Sequence, residues 1–218
     1  MTRSAFLRAR RPEHKQQRRE AILAAARELA RTSGVRNVSL GAVAEAVGLA
    51  KSNIVRYFGT REEIYLELLM DEWRQWGETV AERLRTVGST AEAVTVLAET
   101  IADRPLFCDL LGHASTSLEH NVSVPAARTF KHAVLDQVVA MGAELARATD
   151  LTEREGAELV GAASGLAGML YPASNPPPAL AQVYAEDPEL AATCPVLLPT
   201  LLRALSALAA GLPTLRER

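Results

Sequence analysis

Lys51, Ser52, Asn53 and Arg56 crowd into six residues, with only Ile54 and Val55 between them. An Asn can pair bidentately with adenine and an Arg with guanine, each discriminating by about 1–3 kcal/mol. Lys and Ser can serve bases or phosphates. Such chemistry needs a rigid support, and the flanking residues have the pattern of one. Val43, Val47, Leu49 and Ile54 are spaced to pack between two short helices, and Ala44 is small where those helices would meet. Gly48 tolerates the positive φ of a tight turn. This is the spacing of a helix-turn-helix, whose second helix enters the major groove of DNA. Ser39 suits the N-cap of the first short helix, about 40–46, and its hydroxyl and nearby N–H groups can also meet a phosphate.

Charge points the same way. Residues 1–61 hold thirteen Lys and Arg against four Asp and Glu, a balance of +9, while residues 62–218 hold eleven against twenty-two, or −11. Such asymmetry suggests one module that meets a polyanion and one that does not. Nucleic acid is the first candidate, anionic lipid the second, and a solvated basic face the plain alternative. The 218 residues are 48% hydrophobic and 23% charged, which excludes a disordered or fibrous chain. The two cysteines, Cys108 and Cys194, cannot build a disulfide framework, so a reduced, cytoplasmic setting is expected. The basic start Arg3 to Arg11 runs into Glu13, His14 and Lys15 rather than an apolar stretch, so neither a secretory signal nor a membrane partner is expected.

Periodicity predicts an all-α chain. Ile22, Leu23, Ala26, Leu29 and Ala30 mark a first helix from Gln16 to Thr32, and short helices follow at about 40–46 and 50–57. Thr60 can cap a long helix whose first turn carries Glu62 and Glu63. Further helices are expected at 90–102, 105–117, 125–148, 152–170 and 196–212. Thr152 and Glu155 form a capping box, and Pro172 with Pro176-Pro177-Pro178 act as stops. The expected division is a basic disordered arm over 1–15, a helix-turn-helix domain over 16–60, a helical domain over 61–212 and a frayed tail over 213–218. Arg8, Arg10 and Arg11 of the arm can reach a minor groove, or simply solubilise the chain.

From Gln16 to Leu68 the chain resembles the DNA-binding domain of the TetR family of transcriptional regulators. The resemblance rests on Arg19-Glu20-Ala21-Ile22-Leu23-Ala24-Ala25-Ala26, Gly34-Val35, Ser39-Leu40-Gly41-Ala42-Val43-Ala44, Gly48-Leu49-Ala50-Lys51 and Tyr57-Phe58-Gly59-Thr60-Arg61. The last block is similar to the family's Tyr-Phe-x-x-Lys-x-x-Leu signature, with Arg61 for Lys and Ile64 for Leu. Val55 stands where the family often has Tyr, and Ala50 where it often has Ser or Thr. The resemblance implies an N-terminal three-helix helix-turn-helix domain and a C-terminal helical ligand-binding and dimerisation domain. It implies that Tyr57 and Arg61 bind phosphate; the alternatives are a core aromatic and a surface charge. It also implies a palindromic double-stranded DNA operator, a homodimer and a repressor released by a small-molecule effector.

In the second domain Trp73, Trp76, Phe107, Phe130, Met141, Met169 and Tyr171 are large side chains of the kind that line an effector pocket in the family. Ordinary core is the alternative for each. Cys108, His113 and His120 are the polar anchors expected among them, and the effector is read as mostly apolar. Asp109 and His113 stand at i, i+4, too few ligands for a metal, so no metal or other cofactor is expected. The run from Gly156 to Gly168 is rich in small residues, as close helix packing requires, and the resemblance places it with the last helix in a dimer interface. An enzyme is not expected, since no nucleophile triad, phosphate loop or metal motif appears. A membrane-surface or scaffolding protein using the basic arm is the remaining alternative.

Overall fold

The structure, a computed structural model, describes residues 3–216, with side chains described from His14 onward. Among the described residues every regular element is helical. Helices α1 (Arg3–Ser33), α2 (Leu40–Ala46) and α3 (Lys51–Phe58), with a 3₁₀ turn at Val35–Asn37, form the first module. Ile22, Ala26 and Ala30 of α1 meet Val43 and Ala44 of α2 and Ile54 and Phe58 of α3 in a buried core. Gly48 makes the turn between α2 and α3 at φ 65°, a conformation that other residues adopt only under strain. Ser39 caps α2, its hydroxyl accepting the Ala42 N–H at 3.1 Å.

Helix α4 (Arg61–Leu84) leads into the second module, formed by α5 (Thr90–Ala102), α6 (Pro105–His113), α7 (Val124–Ala148), α8 (Glu153–Ser174), α9 (Pro178–Glu186), α10 (Pro188–Ala191) and α11 (Leu197–Gly211). Thr60 caps α4 through the Glu63 N–H at 3.1 Å, and the Thr152–Glu155 capping box opens α8. The small-residue run of α8 divides by direction. A Cβ on Gly156 would stand 2.5 Å from the Gly142 carbonyl oxygen of α7, and one on Gly112 of α6 would stand 2.7 Å from the Gly168 carbonyl oxygen. These two crossings admit only glycine. Gly161 and Gly165 face open space instead. Helix α11 buries Leu201, Leu205 and Ala209 and leaves Leu208 exposed. The 19-residue stretch Leu197–Leu215, mean hydropathy 1.3, is long and apolar enough to cross a membrane, yet its buried face packs on α5 and α8.

Four boundaries differ from the sequence reading. The helix expected over 105–117 ends at His113 and passes into a π-helical turn at Ala114–Leu118. Helix α1 begins at Arg3, so the backbone of the expected arm is helical from there; the side chains of Arg8, Arg10 and Arg11 lie outside the described residues. Helix α8 runs through Pro172 to Ser174, because a proline in the last turn removes one helical N–H donor without abolishing the rest. The tail expected to fray is held to residue 216. After a 3₁₀ turn at Leu212–Leu215, Arg216 donates to both Glu155 carboxylate oxygens at 2.7 and 2.6 Å and to the Asp150 carbonyl at 2.9 Å. The Arg216 hydrogen bonds, with the Thr152 N–H, hold the Glu155 pKa down at about 2.

Candidate nucleic-acid interface and effector cleft

Helix α3 turns Ile54 and Phe58 into the core, which leaves Lys51, Ser52, Val55 and Arg56 exposed on one side and Asn53 and Tyr57 half-buried beside them. The exposed polar groups are therefore free to meet base edges, and Val55, 44% exposed, offers methyls suited to a thymine methyl. Ser39 is exposed at the start of α2, its hydroxyl proton still available to a phosphate. Arg19 anchors α1 to the end of α3. It donates to the Tyr57 carbonyl at 3.1 Å, lies 4.2 Å over the Phe58 ring and pairs with Glu67.

Two cations that the motif did not single out join this surface. Lys15 and Arg18, three residues apart on α1, line a recess of about 440 Å³ with Asn53, Arg56 and Tyr57. Their i, i+3 spacing was the available signal, hidden because the helix was expected to start at Gln16. Arg61 departs from expectation. Its guanidinium donates to the Val38 carbonyl at 2.6 Å and to the Val35 carbonyl, pairs with Glu62 at 3.2 Å and stacks 4.7 Å over the Tyr65 ring. With its donors so engaged, Arg61 braces the turn before α2 rather than waiting for a phosphate.

The residues expected to line an effector pocket do not form one. Trp73, Trp76 and Phe107 pack as a closed triad with ring centroids 5.4 to 5.6 Å apart, all buried. The indole N–H of Trp76 is satisfied by Thr100 at 2.9 Å. Phe130 and Met141 are core as well. Cys108 is buried, its thiol 3.3 Å from the Ile101 carbonyl, and burial pushes its pKa up to about 12. His120 is exposed and bonds the Ser115 carbonyl at 2.9 Å, while Met169 is 62% exposed on the open side of α8. His113 stands half-buried, 3.5 Å from Asp109. Only Tyr171 of the expected set borders the large cleft of about 960 Å³.

That cleft lies at the joint of the two modules. Ala30, Arg31 and Gly34 form its wall on the α1 side; Glu72 and Thr79 of α4, Arg104, Asp109 and Tyr171 face them. Glu72 is nearly buried, and Arg104 donates to it at 3.1 Å and to Thr79 at 3.2 Å. Asp109 crosses the joint, accepting the Val35 N–H at 2.7 Å. No sequence spacing announces a contact between residues 35 and 109, so this latch was invisible until the chain was folded.

The whole second module, residues 70–216, matches the profile of the tetracyclin repressor-like C-terminal domain, and residues 22–68 match that of bacterial regulatory proteins of the tetR family. The chain belongs to the TetR family. It is a transcriptional regulator with a DNA-binding helix-turn-helix domain, and not an enzyme. No curated protein matches the chain. Solved TetR-family structures share its fold. The Thermus thermophilus FadR repressor in complex with lauroyl-CoA is 19% identical, with 92% of this chain and 97% of that one covered at a TM-score of 0.57. The fatty acid degradation regulator FadR of Bacillus halodurans is 13% identical, covering 88% and 97%, TM-score 0.56. The multidrug binding protein EbrR complexed with imidazole is 20% identical, covering 88% and 94%, TM-score 0.56. At these identities the likeness is one of fold.

Proposed function

We propose that this TetR-family chain is a cytoplasmic, homodimeric repressor that leaves its operator when a small organic molecule enters the cleft between its modules. The observation that carries the DNA reading is the exposed row of Lys51, Ser52, Val55 and Arg56 on a rigid helix of a +9 module. One such helix is a short lever, and two read by symmetry supply affinity and register. The glycines Gly161 and Gly165, with Met169 and Leu208, offer an open face of α8 and α11 to a second copy.

Release follows from the cleft. An effector there touches α1 on one wall and α4 and α6 on the other, so it acts on the latch between Asp109 and Val35 directly. It shifts the equilibrium only by its preference for one arrangement of the joint. A FadR relative holds an acyl-CoA and EbrR holds imidazole, which favours an organic effector here. The walls are richer in charge than an apolar pocket, with Arg31 and Arg104 facing Glu72 and Asp109, so the effector is one that hydrogen-bonds as well as buries carbon. Selection of bound sites from random duplex DNA tests the reading. Two symmetric half-sites about one helical turn apart are expected; recovery of unrelated or unsymmetrical sequences overturns it.

A further inference from the structure

The connection between α8 and α11 folds into helices yet buries no residue fully. No residue from 175 to 196 is buried. Helices α9 and α10 pack mainly on each other, and Leu180, Val183 and Leu190 stay 40%, 41% and 43% exposed. A segment that orders its backbone while leaving these apolar side chains two-fifths in water has less burial to offset the lost conformational entropy than its neighbours. A contact from outside the chain would add to it.

We infer that this arm reaches across the dimer and lies along the outer face of α7 of a second copy. The inference rests on the dimer reading above and adds a second contact to it. Both ends of the arm are rooted in α8 and α11, the helices with the open face, and Cys194 near its end closes back on the Ala173 carbonyl at 3.5 Å. The arm therefore leaves the body at the end of α8 where α11 begins, beside the open face.

The α7 surface matches it in pattern. Arg128, His132, Leu135 and Val139 are exposed at i, i+4, i+7 and i+11, one stripe that is cationic or titratable at its start and apolar further on. Leu135 and Val139 are 57% and 55% exposed and neighbour each other on that face. The arm runs in the opposite order: Leu180, Val183 and Tyr184 come first, then Glu186, Asp187 and Glu189, with no Lys or Arg between Arg154 and Arg203. Laid antiparallel, Leu180 falls on Val139, Val183 and Tyr184 on Leu135, and Asp187 on His132 and Arg128. Apolar meets apolar at the α9 end of the overlap and acid meets base at the other, with Leu190 lying beyond the paired stretch. Within one chain the arm and this stripe share no extended packing. A second copy of the chain is therefore the occupant that satisfies both surfaces.

Cross-linking between isotopically heavy and light chains tests this. Val183→Cys, in a Cys194→Ser background where Cys108 is buried, takes a benzophenone maleimide; the mixed dimer is irradiated and its peptides are mapped. Links from position 183 of one isotope to α7 of the other are expected. Leu180→Asp with Val183→Asp, and separately Leu135→Asp, should each weaken dimerisation by about tenfold or more in sedimentation while leaving the exposed-site fold intact. A wild-type dimer whose links stay within one chain, or whose affinity ignores all three substitutions, overturns the arm and leaves the dimer standing. A wild-type monomer at micromolar concentration overturns both.

Discussion

Replacing Asp109 by Ala removes the carboxylate that accepts the Val35 N–H at 2.7 Å across the joint. Val35 is 1% exposed while the carboxylate covers its N–H, and Asp109 borders the cleft, so water replaces the lost acceptor only in part. Leaving a buried donor unpaired costs about 1–3 kcal/mol, which sets the range expected here. Urea unfolding should report the loss as a lower midpoint with unchanged slope. If the latch also sets the angle of the reader, part of the loss appears as weaker operator binding. Each 1.4 kcal/mol is a factor of ten, so anisotropy titration should show a fall of several-fold to about a hundredfold. Asp109→Asn keeps an acceptor of the same shape and should recover much of the stability. Lost stability with unchanged operator affinity would reduce the contact to a structural one; unchanged stability would refute the hydrogen-bond reasoning itself.

Lys15→Ala and Arg18→Ala should each weaken all duplexes alike and flatten the salt dependence by about one counterion, whereas Arg61→Ala should lower stability with no such change in slope; equal salt slopes for all three variants would contradict the assignment. Gly161→Leu meets open space and should fold but dimerise poorly, while Gly156→Leu drives its Cβ into the Gly142 carbonyl and should fail to fold stably by circular dichroism. Glu155 has a folded pKa of about 2, below the ordinary 4.5, so its pairing with Arg216 contributes stability above pH 4.5 that is lost as pH falls toward 2. The melting difference between the native chain and Arg216→Ala should therefore close over that interval, and a difference independent of pH would refute the pairing.

What the sequence disclosed was local. The turn at Gly48, the caps Ser39 and Thr60, the Thr152–Glu155 box and the bounds of the 90–102 helix depend on neighbours a few residues apart, and each stands where spacing placed it. The exposed face of α3 follows from the same periodicity. The cleft was illegible because five helices build it and no one of them carries its pattern. Trp73, Trp76 and Phe107 illustrate the difficulty: large aromatics suit a pocket wall and a filled core equally, and only their mutual distances decide for the core. Arg61 misled for a related reason, since a guanidinium suits a carbonyl cluster as well as a phosphate. Small residues in α8 pointed to close approach, but folding was needed to separate Gly156 and Gly168, packed within the chain, from Gly161 and Gly165, open to a partner.

Whether α3 reads bases is decided by a site selection run in parallel on the native chain, Asn53→Ala and Arg56→Ala. The native consensus is expected to persist in each variant but to relax at one position per half-site, with a discrimination loss of about 1–3 kcal/mol there. A consensus unchanged at every position, with binding merely weaker on all sequences, would contradict base reading by α3.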